Sequence, residues 1–328
     1  MDTYNNLWQH IYMKNLSILI SLLFLSPYLQ AQADCAVICE EAKERYSTEL
    51  SDVSFAYKEY STRKIQASYY DQVSFSNSYL GKLVISDSKI EKSSFSSIMV
   101  ANAVIENSIF TKNILNYSKW GSVIFEDVDM TDSELNNVDF ADLSFVNVNA
   151  EEATFNSAEM SFAKISGSIF IDSEFKYAKL ILSDISTSDF SESEMNNANF
   201  LHSTFSYVQF VDVTLTSSDF SGSVMDEMSF DESDMKYGKF DRNTISNSTF
   251  LDAELNNTSF SMSEITNVDF TDADLTSANF SMATLNNVNF TNAKLEYADF
   301  RGAKFNNVTI NGADIERVKD SGAENSPF

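Results

Sequence analysis

From Leu50 to Ile315 every fifth residue is apolar, with Ala150 the one small member of the series. Two residues before each of these runs a second series of mostly small residues, among them Val73, Ser108, Ala158, Ala198, Ser218, Ala273, Ala298 and Ala313. Its departures include Lys58, Arg63, Asn113, Leu143, Met228 and Asn243. A period of five matches neither the α-helix nor the isolated β-strand. It matches a chain that turns a corner every five residues and points one large and one small side chain inward each time. Self-similarity at a short fixed period predicts a solenoid, and Lys58 and Arg63 predict a degenerate first coil. Ahead of it, Ile38, Ala42 and Tyr46 recur at a spacing of four, which predicts a short helix over 36–49. Residues 13–33 combine Lys14, an apolar run from Leu16 to Leu25 and the small-x-small motif Ala31-Gln32-Ala33. That is the layout of a secretory signal peptide with Met13 as its start, and the apolar run is too short to span a bilayer. The expected organisation is therefore an extension and signal peptide over 1–33, a capping helix over 34–49, a β-solenoid over 50–315 and a tail over 316–328. Cleavage after Ala33 would place the mature chain in the periplasm or medium, with no stable membrane insertion. Cys35 and Cys39 would be free to pair there or to remain thiols.

The repeating unit reads small–Asp/Asn–Phe/Leu–Ser/Thr–x, as in Val138-Asp139-Phe140-Ala141-Asp142, Ala198-Asn199-Phe200 and Ala273-Asp274-Leu275-Thr276-Ser277. Over 50–315 the chain resembles the pentapeptide repeat family. The resemblance implies an all-β fold, a right-handed quadrilateral β-helix with four pentapeptides per coil. Here that gives about 13 coils and, at the β-strand spacing, a rod roughly 65 Å long. The resemblance also implies an interaction role, since the family includes DNA-mimicking gyrase inhibitors. Those proteins have loops that interrupt the register, and this chain has none. Within a square coil, the alternation of Phe250, Leu255, Phe260, Ile265, Phe270 and Leu275 predicts Phe stacks on two opposite sides and aliphatic stacks on the other two.

A longer period overlies the first. The segments KYAKL (176–180), KYGKF (236–240) and EYADF (296–300) lie sixty residues apart, as do ELNNVDF (134–140), EMNNANF (194–200) and ELNNTSF (254–260). Sixty residues is three coils, which points to growth by duplication. The same step sets Tyr117, Tyr177, Tyr237 and Tyr297 along one side as candidate interaction residues.

Composition narrows the functional classes. The 328 residues include 27 Phe and 14 Tyr, too many for an acidic disordered chain. Two His and two Cys leave little for a zinc site or a disulfide scaffold. The net charge of −26, from 22 Lys+Arg against 48 Asp+Glu, excludes a basic nucleic-acid binder. The acidity belongs to the later coils, where residues 121–300 hold 32 Asp+Glu and 7 Lys+Arg. Positions twenty apart should stack, so Asp132, Glu152, Asp172, Glu192, Asp212, Glu232, Asp252 and Asp272 form one carboxylate column, with Glu134, Glu174, Glu194, Asp234, Glu254 and Asp274 beside it. Such columns favour cations or a basic protein partner, and at most weak calcium binding, because calcium needs several oxygens at one point. The opposite side presents Phe162, Ile181, Leu182, Leu201, Met262 and Met282, a candidate contact surface for a homodimer. No catalytic motif or cofactor loop is present, and His202, Ser203 and Asp184 lie on coils that should form no pocket. The chain reads as an exported, non-enzymatic structural or interaction rod. The alternative is a cytoplasmic DNA mimic acting on DNA gyrase, because the acid density approaches one charge per ~1.7 Å, that of duplex DNA.

Overall fold

A computed structural model of the chain describes Tyr46 and residues 48–328. The signal peptide, Cys35, Cys39 and nearly all of the expected helix lie outside these residues. Within them the fold is a parallel β-solenoid of about 13 turns, with seventeen strands in one continuous sheet. The register is twenty residues throughout, as in Glu134 facing Thr154 and Thr154 facing Glu174. Four five-residue sides therefore make one coil. Among the described residues no helix is long and apolar enough to cross a membrane.

The corners explain the period. Every fifth residue, from Asp127 through Asp132 to Asn137 and beyond, sits in the left-handed region, with φ of 54°, 57° and 56° at these three. A left-handed residue between short extended segments reverses the inward and outward alternation of a strand. Each side can then offer both a large and a small residue to the interior. The corner residue keeps its backbone satisfied, because its N–H donates to a carbonyl on the next coil, as Asp132 does to Glu151 at 3.0 Å.

One corner departs from this scheme in the early coils. The strands Met99–Ile109 and Lys119–Asp129 run straight through it, with Lys82, Asn102, Ser122 and Asp142 paired in an extended ladder. The preceding column is small here, namely Gly81, Ala101, Gly121 and Ala141. A Cβ on Gly121 would lie 2.2 Å from the Ala101 carbonyl oxygen, so the backbones approach too closely for a side chain. Where Ile181 and Leu201 occupy that column, the chain turns instead, at Leu182 and His202. The expectation of a corner every five residues thus fails at this one edge of the early coils.

The interior is a packed column. Phe200, Phe220, Phe240, Phe260, Phe280 and Phe300 stack with ring centroids 4.6–5.1 Å apart, and Phe170 through Phe290 form the facing stack. The two stacks meet edge to face, as Phe230 and Phe240 do at 6.0 Å and 87°. Burying each ring is worth about 1.5–3 kcal/mol. Ile245, Ile265, Leu255 and Leu275 fill the other two sides, as the alternation predicts. The small series adds a hydroxyl zipper. Ser203 Oγ accepts the Ser183 N–H at 3.0 Å and donates to the Leu180 carbonyl at 2.7 Å, so it joins neighbouring coils inside the core.

Both ends differ from the expected boundaries. Thr48 and Glu49, assigned to the helix, belong to the strand Thr48–Ser51, which pairs with Ser68–Asp71. At the other end the ladder passes 315, with Asp299 facing Lys319 and Lys304 facing Glu324. Val318 and Ala323 continue the small inward series there, while the polar Asp320 and Asn325 end the large one, which is why the apolar count stops early. Phe328 then lies 4.9 Å from the Phe300 ring and 5.7 Å from Phe305, over the end of the stack. In the first coil Arg63 turns inward, with its guanidinium 4.8 Å from the Phe55 ring.

Candidate interaction surfaces

The carboxylate column from Asp132 to Asp272 occupies one corner, on eight successive coils. All eight residues are in the left-handed conformation, with φ between 54° and 61°. Asp and Asn tolerate that region better than most side chains, and the column continues as Asn292 and Gly312. Lys112 precedes it on the same corner and pairs with Asp132 at 3.3 Å. Among the described residues no other member of the column has a basic partner. The Asp132 carboxyl beside Glu152, hydrogen-bonded to it and repelling it, holds the Glu152 carboxyl above the usual range.

The second column lies on the flat side next to this corner and behaves differently. Lys176 bridges Glu174 and Glu194, Lys236 bridges Asp234 and Glu254, and Lys294 reaches Asp274 at 3.2 Å. Asn116, Asn156 and Asn256 donate side-chain hydrogen bonds to Glu134, Glu174 and Asp274, each at 2.7 Å. The two columns expected to act together are thus one bare and one partnered. The carboxylates are strung along the axis rather than gathered. Among the described residues no group of three or more His, Cys, Asp or Glu side chains could hold a metal ion.

The tyrosines share the next corner. Tyr117, Tyr177 and Tyr237 are 59–68% exposed, and Tyr297 is less so because Arg317 lies over its ring at 5.0 Å. The flanking lysines are committed to neighbouring coils, Lys119 to Asp139, Lys179 to Glu159 and Lys239 to Asp219. Diagonally opposite the acid corner, Phe162, Leu182, Met262 and Met282 are exposed, but His202, Gly222 and Arg242 separate them. The expected apolar surface is therefore two patches. His202 lies along Gly222, where a Cβ would come 2.3 Å from its Nδ1. Ser203 is buried, and its hydroxyl serves the backbone.

One feature was not predicted. A groove of about 760 Å³ runs along the side between the acid corner and the corner that carries Tyr207 and Glu227. Ile171, Asp189, Gln209 and Val211 form its floor, and Glu192, Asp212 and Glu232 form one rim. The signal in the sequence is a substitution within one column. Thr187, Tyr207 and Glu227 stand where later coils have Asn247, Asn267, Asn287 and Asn307. Those asparagines join in an amide ladder with spacings of 2.8–3.0 Å, which begins only beyond the groove.

Two family models match the chain, pentapeptide repeats in eight copies over 133–172 and 183–222, and a pentapeptide repeat region over 243–319. Similar solved structures include a pentapeptide repeat protein from the cyanobacterium Cyanothece, 21% identical over 29% of this chain, with a TM-score of 0.26. The chain spans 60% of that protein's length. HetL from the cyanobacterium Nostoc, a pentapeptide repeat protein involved in heterocyst differentiation regulation, is 15% identical over 88% of this chain and 94% of its own, with a TM-score of 0.23. QnrB1, a plasmid-mediated fluoroquinolone resistance protein, is 18% identical over 64% of this chain and 89% of its own, with a TM-score of 0.33. No curated protein matches the chain. With the family's repeat found in both halves of a rod that keeps one register from end to end, the chain belongs to the pentapeptide repeat proteins.

Proposed function

We propose that the chain is a non-enzymatic interaction rod, exported from the cytoplasm, whose acid corner from Asp132 to Asp272 docks a basic protein. The observation that carries this reading is the contrast between the two acid columns. Lysines and asparagines partner much of the flat column, whereas among the described residues the corner column has a single base, Lys112, at its first member. Unpaired like charges about 4.8 Å apart repel one another, and a complementary surface relieves that repulsion and speeds encounter. The filled Phe interior and the committed hydroxyl of Ser203 support a non-enzymatic role. The leader-like segment at 13–33 supports export. A duplex mimic acting on gyrase fits the charge density, but fits less well the concentration of bare charge on one corner.

The test is binding of a fluorescein-labelled lysine-rich peptide, followed by anisotropy at low and physiological salt. Neutralising Glu152, Asp172, Asp252 and Asp272 together should weaken binding at least tenfold and flatten its salt dependence. Neutralising Glu134, Glu174, Glu194 and Glu254 should weaken it less. Equal effects from the two sets would remove the corner as the docking edge. Recovery of the protein in the cytoplasmic fraction with residues 13–33 retained would remove the exported reading.

A further inference from the structure

We infer that the groove between the Tyr207 corner and the acid corner is a binding site for a linear aliphatic polyamine, a chain of short alkyl segments carrying protonated amines. Its volume of about 760 Å³ falls within the range of small-ligand sites. Among the described residues no lysine or arginine lines it. Glu192, Asp212 and Glu232 follow one another along one rim at the coil spacing of about 4.8 Å, and Glu227 stands on the other. A single metal ion needs oxygens converging on one point, and these carboxylates are instead spread along the axis, as the charges of a polyamine are. The floor suits the segments between those charges, since Ile171 and Val211 offer apolar surface to methylenes. Tyr207, half exposed and lining the groove, offers an aromatic face to an ammonium group.

Asp189 supplies the independent pointer to a cation. Its side chain lines the groove, and the residue is only 5% exposed. Its Oδ1 accepts the Ser191 N–H at 2.8 Å and the Ser191 hydroxyl at 2.5 Å. Among the described residues no group donates to its Oδ2 and no base pairs with it. That oxygen is left open at the groove floor. An ammonium group lying along the floor would meet it.

This inference stands on the groove alone and survives failure of the docking proposal, which is tested on residues outside it. The experiment is isothermal titration of the full chain with spermidine, with sodium chloride and magnesium chloride controls at matched ionic strength. Saturable binding at one site is expected, with little heat from magnesium. Tyr207→Ala should weaken the affinity about three- to fivefold, and Tyr207→Phe should retain it. Asp189→Asn should weaken it about tenfold, with circular dichroism confirming that each variant keeps the fold. Neutralising Glu152, Asp252 and Asp272, which lie outside the groove, should leave spermidine affinity unchanged. Spermidine heats no larger than the salt control, magnesium binding equally well, or affinity that follows the distant corner residues but not Tyr207 and Asp189 would overturn the site. So would a lysine-rich peptide that binds the groove in a Tyr207-dependent way and more tightly than spermidine, because the groove would then be a peptide site.

Discussion

Two asparagines in the inward small column show how much one side chain matters in this core. Asn113 is fully used, since its Oδ1 accepts the Ser93 N–H and its Nδ2 donates to the Ile90 carbonyl, both at 2.9 Å. Asn243 accepts the Ser223 N–H at 2.9 Å, yet its Nδ2 is buried without a partner. Leaving a buried donor unsatisfied costs about 1–3 kcal/mol. Serine at the equivalent place one coil on, Ser263, donates to the Phe240 carbonyl and meets its needs. Asn243→Ser is therefore expected to stabilise the fold by roughly 1 kcal/mol, read as a higher denaturation midpoint, whereas Asn113→Ser should bring no gain. Equal responses at the two positions would mean that the Asn243 amide is satisfied in solution.

The element of this fold is the coil, and a coil has no core of its own. Phe240 touches Phe220 and Phe260 in its own stack and Phe230 and Phe250 in the facing one. Phe240→Ala should cost about 3–5 kcal/mol. Because coupling passes only between neighbours, the loss should appear as a broadened or two-step melt rather than a uniform shift. A sharp melt at an unchanged midpoint would contradict the stacked core. This architecture was legible in the sequence because its driving force is local and periodic. Large inward residues at every fifth position and small ones two earlier leave the chain one way to hide both. What escaped was decided across coils instead. The extended corner at Asn102 and Ser122 depends on how closely Gly121 approaches Ala101. The bareness of the acid corner depends on which carboxylates the long lysines reach, and spacing alone does not show that Lys176 spans to Glu194. The groove depends on Thr187, Tyr207 and Glu227 standing in a column that later coils fill with asparagine, which a pattern of apolar positions cannot register.

At the scale of the whole rod, charge makes stability depend on pH in two opposing ways. Arg301, hydrogen-bonded to Asp299, holds the Asp299 carboxyl below the usual range. Burial works to raise Asp274, but the hydroxyl and N–H of Thr276 and the ammonium of Lys294 outweigh it and lower its pKa. Groups depressed in the fold stabilise it above their unfolded pKa, and that stability is lost as pH falls through the folded value. Glu152 has the opposite sign. Raised by Asp132, it weakens the fold at neutral pH, and the loss is recovered as pH falls through its folded pKa. Glu152→Gln should therefore raise the melting temperature at neutral pH and lose that advantage in acid, while Asp299→Asn should lower it at neutral pH and converge with the native chain in acid. A Glu152→Gln difference that does not change with pH would show that the two carboxylates do not interact.

The twenty-residue register also makes the rod a mechanical object. Under tension at one end, each coil is held to the rest by a single neighbour through a parallel ladder and one layer of stacked rings. Among the described residues the pairing runs only between neighbouring coils and nothing ties the first coil to the last, so the load is not shared along the length. Coils should peel away singly, each releasing about 60 Å of slack at the extension of a strand, and the retreating tip would always expose a fresh template on which the chain can wind back. A protein built this way would lengthen under load and shorten when released, and would act as a reversible shock absorber between whatever its two ends are fastened to.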